Sequence, residues 1–349
     1  MGDAVGRTRM KPVRWKTIAA GLVLTMTALG GTACSNSSDD ANEITVYNAQ
    51  HESLTKEWAE QFTKETGIKV TLRQGGDTAL GNQLVAEGAA SPADVFLTEN
   101  SPAMALVENA GLFADVDAET LAQVPAQFRP STGKWTGVAA RSTVFVYNKN
   151  KVQPGQLPAS LLDLAQPQWK GRWGAGVSGA DFQAIVAALL ALKGEDVTRA
   201  WLKGMKENAT PFPNNVATMK AVNSGSPDGG VIYHYYWYRD QANTKESSAD
   251  TALHYFKNQD PGAFVSVSGG GVLKASKKQE AAQKFLAFIV GKTGQEVLRD
   301  GTSLEYPVAA GVAANPALPP LADLQAPAVD PSKLDSKKVT QLMTEAGLL

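Results

Sequence analysis

Two long β-rich runs constrain the fold of this chain more than anything else in it: "GVAARSTVFVYNKNKV" (137–152) and "GAFVSVSGGGVLKAS" (262–276). Each is flanked by stretches that alternate short strands with helices. Before the first run, "EITVYNAQ", "IKVTLRQ" and "ADVFLTE" read as strands. "LTKEWAEQFTKETG", "TALGNQLVAEGAA" and "AMALVENAG" read as helices. Leu54, Trp58 and Phe62 recur every four residues on the first helix, with Ser53 as its expected cap and Gly67 as its stop. Pro102 sits in the first turn of the third, and Gly111 ends it. Between the two runs, "GRWGAGVSGADFQAIVAALLALKG", "DVTRAWLKGMKEN", "NNVATMKAVNSG" and "GGVIYHYYWYRDQA" form a second α/β unit. Two more helices and a proline-rich, then helical, tail follow. This alternation argues for a mainly parallel sheet with helices on both faces. Two α/β units joined by two β segments describe a chain that crosses over and returns. The expected architecture is α/β, with two lobes and a ligand cleft between them. Lobe 1 would hold 43–140 plus 268–349 and lobe 2 would hold 141–267, with hinge closure as the motion.

The N-terminus is built differently. Arg7, Arg9, Lys11, Arg14 and Lys16 precede the apolar run "TIAAGLVLTMTALGG", which is short for a membrane span. A basic region, an apolar region and small residues make a secretory leader over residues 1–33. Cys34 is the single cysteine, so it cannot staple the fold internally. Its place after Thr32 and Ala33 resembles a bacterial lipobox, although Gly31 departs from the usual first residue. The polar stretch "SNSSDDANE" begins directly after it, and residues 34–42 read as a lipid-anchored tether. Export to the extracytoplasmic side of the cell membrane is the expectation. Formal charge is −1; removing the leader takes five bases and one acid and leaves −5. That balance gives no basic face for nucleic acid. A monomer is expected.

The stretch "VIYHYYWYRD" (231–240) holds four of the chain's eight tyrosines and one of its three histidines. Ligands in open α/β sheets bind beyond the carboxyl ends of strands. Three predicted strand ends carry reactive side chains: His51 after "ITVYN", Glu99 after "ADVFLT", and Tyr235 and Tyr236 after "GGVIY". Adjacent residues of a regular strand point to opposite faces. Both phenols reach one target only if the strand breaks into a helix there. Hard cations prefer oxygen donors. A ferric ion is acidic enough to drive off phenol protons, and two phenolates with Glu99 balance its three charges. His51 would be a fourth ligand. Taken singly, each residue has a plainer reading: tyrosines pack or stack on sugars, Glu99 favours a helix start, and His51 is a loop histidine. On residue types alone His51 and Glu99 also suit the acid and base of a hydrolase, but no nucleophile motif accompanies them. "GVSGAD" could present backbone N–H groups to an anion.

"YNAQHESL", "SPADVFLTE", "YYWY", "DPGAFVSVSGGGVLK" and "EYPV", in that order, resemble the ferric-ion-binding proteins of bacterial ABC importers. The similarity runs from about Ile44 to the last helix. It implies a periplasmic-binding-protein fold, Fe3+ as transported ligand, no enzymatic activity, and an ABC permease with its ATPase as partners. It implies His51, Glu99, Tyr235 and Tyr236 as iron ligands. It further implies a synergistic anion (carbonate, phosphate or citrate) held by Ser178, Gly179, Ala180 and Asn215, with Arg141 near the ligand shell. Tyr233 stands where anion-binding members often have asparagine, so it reads as a third phenolate, a donor to the anion, or a buried ring. Relatives resembling the same scaffold carry thiamine, phosphonates or polyamines, the alternative ligands.

Overall fold

The computed structural model describes residues 42–349; the leader, Cys34 and most of the tether lie outside them. The first unit comprises β1 (Glu43–Asn48), α1 (Glu52–Thr66), β2 (Lys69–Gln74), α2 (Asp77–Glu87), β3 (Val95–Leu97) and α3 (Ser101–Asn109). β1 pairs in parallel with β2 and with β3. α1 starts earlier than Ser53 suggests, because the chain turns immediately after β1 and His51 becomes the N-cap. Its C-terminus is as expected: Gly67 adopts φ 74°, a left-handed conformation that costs glycine little. Leu54, Trp58 and Phe62 are buried in one core with Phe285 and Leu286.

A short α4 (Ala118–Ala122) leads to β4 (Thr136–Asn148), the first crossing strand. The middle of the chain forms β5 (Trp173–Ala175), α5 (Ala180–Asn208), β6 (Ala209–Pro211), α6 (Asn215–Asn223), β7 (Gly229–Tyr233), α7 (His234–Ala242) and β8 (Thr251–His254). The two helices expected between 180 and 208 run together as α5, with Gly194 (φ 80°, ψ 175°) breaking the helical path between them. The second crossing strand is β9 (Val265–Val272), followed by α8 (Gln279–Val290), α9 (Lys292–Asp300) and α10 (Ser336–Glu345). α4, β6 and β8 were not anticipated; at three to five residues each they are too short to show a period.

The sheet order is β2-β1-β3-β9-β4-β7-β5-β6, with β8 also on β4. Both wings are parallel, as the alternation requires, and the centre is antiparallel. β9 pairs with β3 and with residues 136–142 of β4, while residues 143–147 of β4 pair with β7. One strand therefore serves both wings along its length. The tail helix, grouped with the N-terminal unit in the sequence reading, shares its core with the middle segment: Val339, Leu342 and Met343 lie with Trp201, Leu202 and Met205 of α5. Among the described residues no helix is long and apolar enough to cross a membrane.

The glycine run of β9 serves packing. A Cβ on Gly270 would lie 2.8 Å from Leu286, 2.9 Å from Val138 and 3.1 Å from Leu97, so helix and strand side chains rest directly on this backbone. Gly137, beside the register shift in β4, is tighter: its Cβ would lie 2.1 Å from the Phe128 carbonyl oxygen. Gly137→Ala is expected to cost about 1–3 kcal/mol through overpacking against rigid backbone. The check is a urea midpoint that falls at unchanged slope.

Candidate metal centre

The strand-to-helix break required by the two phenols is present. β7 ends at Tyr233, whose extended backbone (φ −89°, ψ 147°) makes it the N-cap of α7. His234, Tyr235 and Tyr236 form the first turn, where the alternation of the strand no longer applies. The Tyr235 and Tyr236 rings lie 4.2 Å apart, tilted by 30°. A helix N-terminus also favours negative charge, which suits phenolates. Tyr235 is fully buried, and its hydroxyl has no hydrogen-bond partner. Buried polar groups are rarely left so, and the exceptions call for a role.

Three strand ends converge on these rings. His51, at the entry to α1, approaches Tyr235 edge-on with ring centroids 5.0 Å apart. Its Nδ1 is 3.0 Å from Glu99 Oε1, just beyond β3. Its Nε2, also without a partner, is 3.7 Å from Glu305 Oε2. Arg141 is completely buried on β4 and ties the group together. It donates through Nε to Glu305 Oε1 (3.0 Å) and through an Nη to Ser268 Oγ (2.7 Å), and it contacts the Glu99 carbonyl oxygen. Its guanidinium carbon lies 5.7 Å from the Tyr235 ring centroid and 5.9 Å from that of Tyr233.

A second carboxylate faces the phenols from the other side. Asp181, in the first turn of α5, accepts from Tyr236 Oη at 3.0 Å and from Asn215 Nδ2 at 2.6 Å on one oxygen. Its other oxygen accepts from Asn100 Nδ2 at 2.8 Å. Asn100 Nδ2 also reaches the buried Asp77 at 3.1 Å, and Asp77 accepts from the Glu99 backbone N–H. Tyr233 is buried; its hydroxyl lies 3.4 Å from Asn100 Oδ1 and 3.3 Å from the Asp181 carbonyl oxygen. Of the anion-site candidates, Asn215 is thus engaged by Asp181. Ser178 is exposed and its carbonyl accepts from Gln183, while Gly179 is the N-cap of α5 with Ala180 next to it. Asp181, Asn100, Asp77 and Glu305 were not singled out from the sequence. Asp181 is the last residue of "GVSGAD" and Glu305 the first of "EYPV", so the local signal existed but not the partner.

Protonation follows from this packing. Burial, then the negative charges of Asp181 and Glu99, push the Tyr235 and Tyr236 phenols well above their ordinary value, so both are neutral without a cation. Burial disfavours a charged His51, but Glu305 and Glu99 outweigh it and hold the imidazole above its usual range. Glu99 is likewise desolvated, yet the hydrogen bond and charge of His51 keep it below the usual carboxylate range. Burial and the Glu99 charge lift Asp77 to about 7 and raise Asp181. Among the described residues no three His, Cys, Asp or Glu side chains are grouped to hold a metal ion. The donor set of phenol, carboxylate and imidazole suits a hard, highly charged cation.

The chain is similar in sequence and fold to known proteins. A family model described as bacterial extracellular solute-binding protein matches residues 90–333. The chain is 66% identical over 306 residues to the Fe(3+)-binding periplasmic protein of Serratia marcescens, covering 88% of this chain and 90% of that one. It is 35% identical over 339 residues to the major ferric iron-binding protein of Neisseria gonorrhoeae, covering 96% and 98%. Iron-bound HitA from Pseudomonas aeruginosa aligns with a TM-score of 0.82 at 41% identity, over 88% of this chain and 99% of that one. A Trichodesmium protein solved with iron and citrate aligns at 0.77 and 32% identity, over 88% and 100%.

Proposed function

Because the chain belongs to the bacterial extracellular solute-binding proteins and, within them, to the ferric-ion-binding proteins, we propose that it captures Fe3+ outside the cytoplasm and hands it to an ABC permease. It has the α/β periplasmic-binding-protein fold of that family and is a transport protein, not an enzyme. Tyr235, Tyr236, Glu99 and His51 are the iron ligands in this reading. The observation that carries it is the pair of phenols at the start of α7, Tyr235 buried and Tyr236 half-buried, facing an imidazole and a carboxylate from the other wing. His51 Nδ1 and Glu99 Oε1 are 3.0 Å apart. Neighbouring donors on a small octahedral cation with bonds of roughly 2.1 Å have about that separation. β4 and β9 are the hinge strands, and their midpoints divide the two lobes. Cys34 carries the lipid that tethers the protein.

Asp181 supplies a fifth ligand in place of an added anion. Its carboxylate already holds the amide of Asn215 and the hydroxyl of Tyr236, the groups an incoming anion would need. Tyr233 then serves as a buried hydrogen-bond donor beside it rather than as a ligand. Iron loading is expected without carbonate, phosphate or citrate. Oxidising Fe2+ with CO2-free oxygen beside the iron-free protein, in degassed chloride and a non-coordinating buffer, tests this. A visible tyrosinate-to-iron band saturating at one iron per chain supports the reading, and a band that forms only on adding one of those anions refutes the internal carboxylate.

Iron must displace the phenol protons. At neutral pH each iron bound is expected to release about two protons or more, and affinity falls as pH drops. A pH-stat titration counts them. Release of none would show that the phenols do not coordinate.

A further inference from the structure

Glu305 is fully buried, yet only one of its oxygens is used. Oε1 accepts from Arg141; Oε2 has no hydrogen-bond partner and faces the unpartnered Nε2 of His51 at 3.7 Å. The imidazole thus lies between two carboxylates, Glu99 on the side of the phenols and Glu305 on the other. A metal-bound histidine gives one ring nitrogen to the ion and almost always donates the N–H of the other to an oxygen acceptor, which fixes the ring and strengthens the ligand. No other acceptor is bonded to that nitrogen.

We propose that Glu305 is the positioning residue for His51: it accepts the ring N–H on the side away from the metal, closing from 3.7 Å to a hydrogen bond when iron takes the other nitrogen. The inference rests on the ferric reading above. Arg141 makes the arrangement possible. It neutralises Glu305 and points one carboxylate oxygen at the ring, and its contacts with Ser268 and the Glu99 carbonyl register Glu305 against the ligand on the opposite side. A loop residue distant by 254 positions from His51 thereby sets the angle of the imidazole toward Tyr235.

A double-mutant cycle tests it. Glu305→Asp keeps the charge beside Arg141 but withdraws the carboxylate from His51; Glu305→Gln keeps the length and removes the charge. Iron affinity is read by competition against citrate in the wild-type and His51→Ala backgrounds, and iron-free melting curves identify any variant that is not folded. Each Glu305 substitution is expected to weaken iron binding by about 10–100-fold when His51 is present. In the His51→Ala background the same substitutions should change it by less than about twofold, since coupled residues are non-additive. Equal losses in both backgrounds would overturn the proposal, because Glu305 would then act through Arg141 and the fold alone. So would no loss in the wild-type background. A wild-type protein that gives no iron band at all would instead remove the ferric reading, and this inference with it.

Discussion

Tyr235→Phe deletes one oxygen atom and is expected to abolish the visible iron band, with a loss of iron affinity of about a thousandfold or more. That exceeds the 10–100-fold that outer partners of a metal site typically contribute, because a charged ligand is removed outright. The substitution should not harm the fold. The Tyr235 hydroxyl has no hydrogen-bond partner, so phenylalanine fills the same buried space and leaves no polar group unpaired. Iron-free Tyr235→Phe is therefore expected to melt at or slightly above the wild-type temperature. Tyr236→Phe should give a comparable loss of iron, but it also strips Asp181 of one donor. Tyr238→Phe is the control: its hydroxyl meets Tyr255 at 3.3 Å and should leave the band in place. Titrating the three iron-free variants with ferric citrate separates these outcomes. An intact band in Tyr235→Phe would reduce the aromatic cluster to packing.

Arg141→Met should produce the largest loss of stability among single changes near the site, about 3–5 kcal/mol. The Arg141 and Glu305 side chains are both wholly excluded from solvent, so removing the guanidinium leaves a buried carboxylate without its hydrogen-bonded counter-charge. It also removes donors from Ser268 and the Glu99 carbonyl. Replacing both members of such a pair is usually far less costly than replacing one. Arg141→Met with Glu305→Gln is expected to regain most of the loss in urea unfolding, while iron affinity stays low. If the single substitution proves nearly neutral, the account of the pair is wrong.

The wings of the sheet and the phenol pair were legible because their signals are local. Leu54, Trp58 and Phe62 mark a helix face by spacing alone, and the change from "GGVIY" to "WYRDQA" marks a strand giving way to a helix. His51 and Glu99 were singled out because strand ends are where such sheets bind ligands. What escaped was everything that depends on a partner far along the chain. Asp181 acquires its meaning from Tyr236 and Asn100, 55 and 81 positions away. Glu305 acquires it from Arg141, 164 positions away. A buried carboxylate and a surface carboxylate are written with the same letter. The start of α1 was misjudged by a related fault: Ser53 is a good cap by type, but the tight turn after β1 brings the helix in sooner and gives that place to His51.

The pairing of β9 with β3 and β4 has a temporal consequence. Thr136 of β4 is matched to Gly270, and residues 95–97 of β3 to 270–272. Until residue 272 has emerged, β3 has an open edge and β4 lacks its inner neighbour, so the central sheet cannot close on a growing chain. Contacts of such wide sequence separation slow folding, since the long loop must be closed before they form. Slow closure leaves a long interval in which the phenols of α7 have not yet been brought against His51.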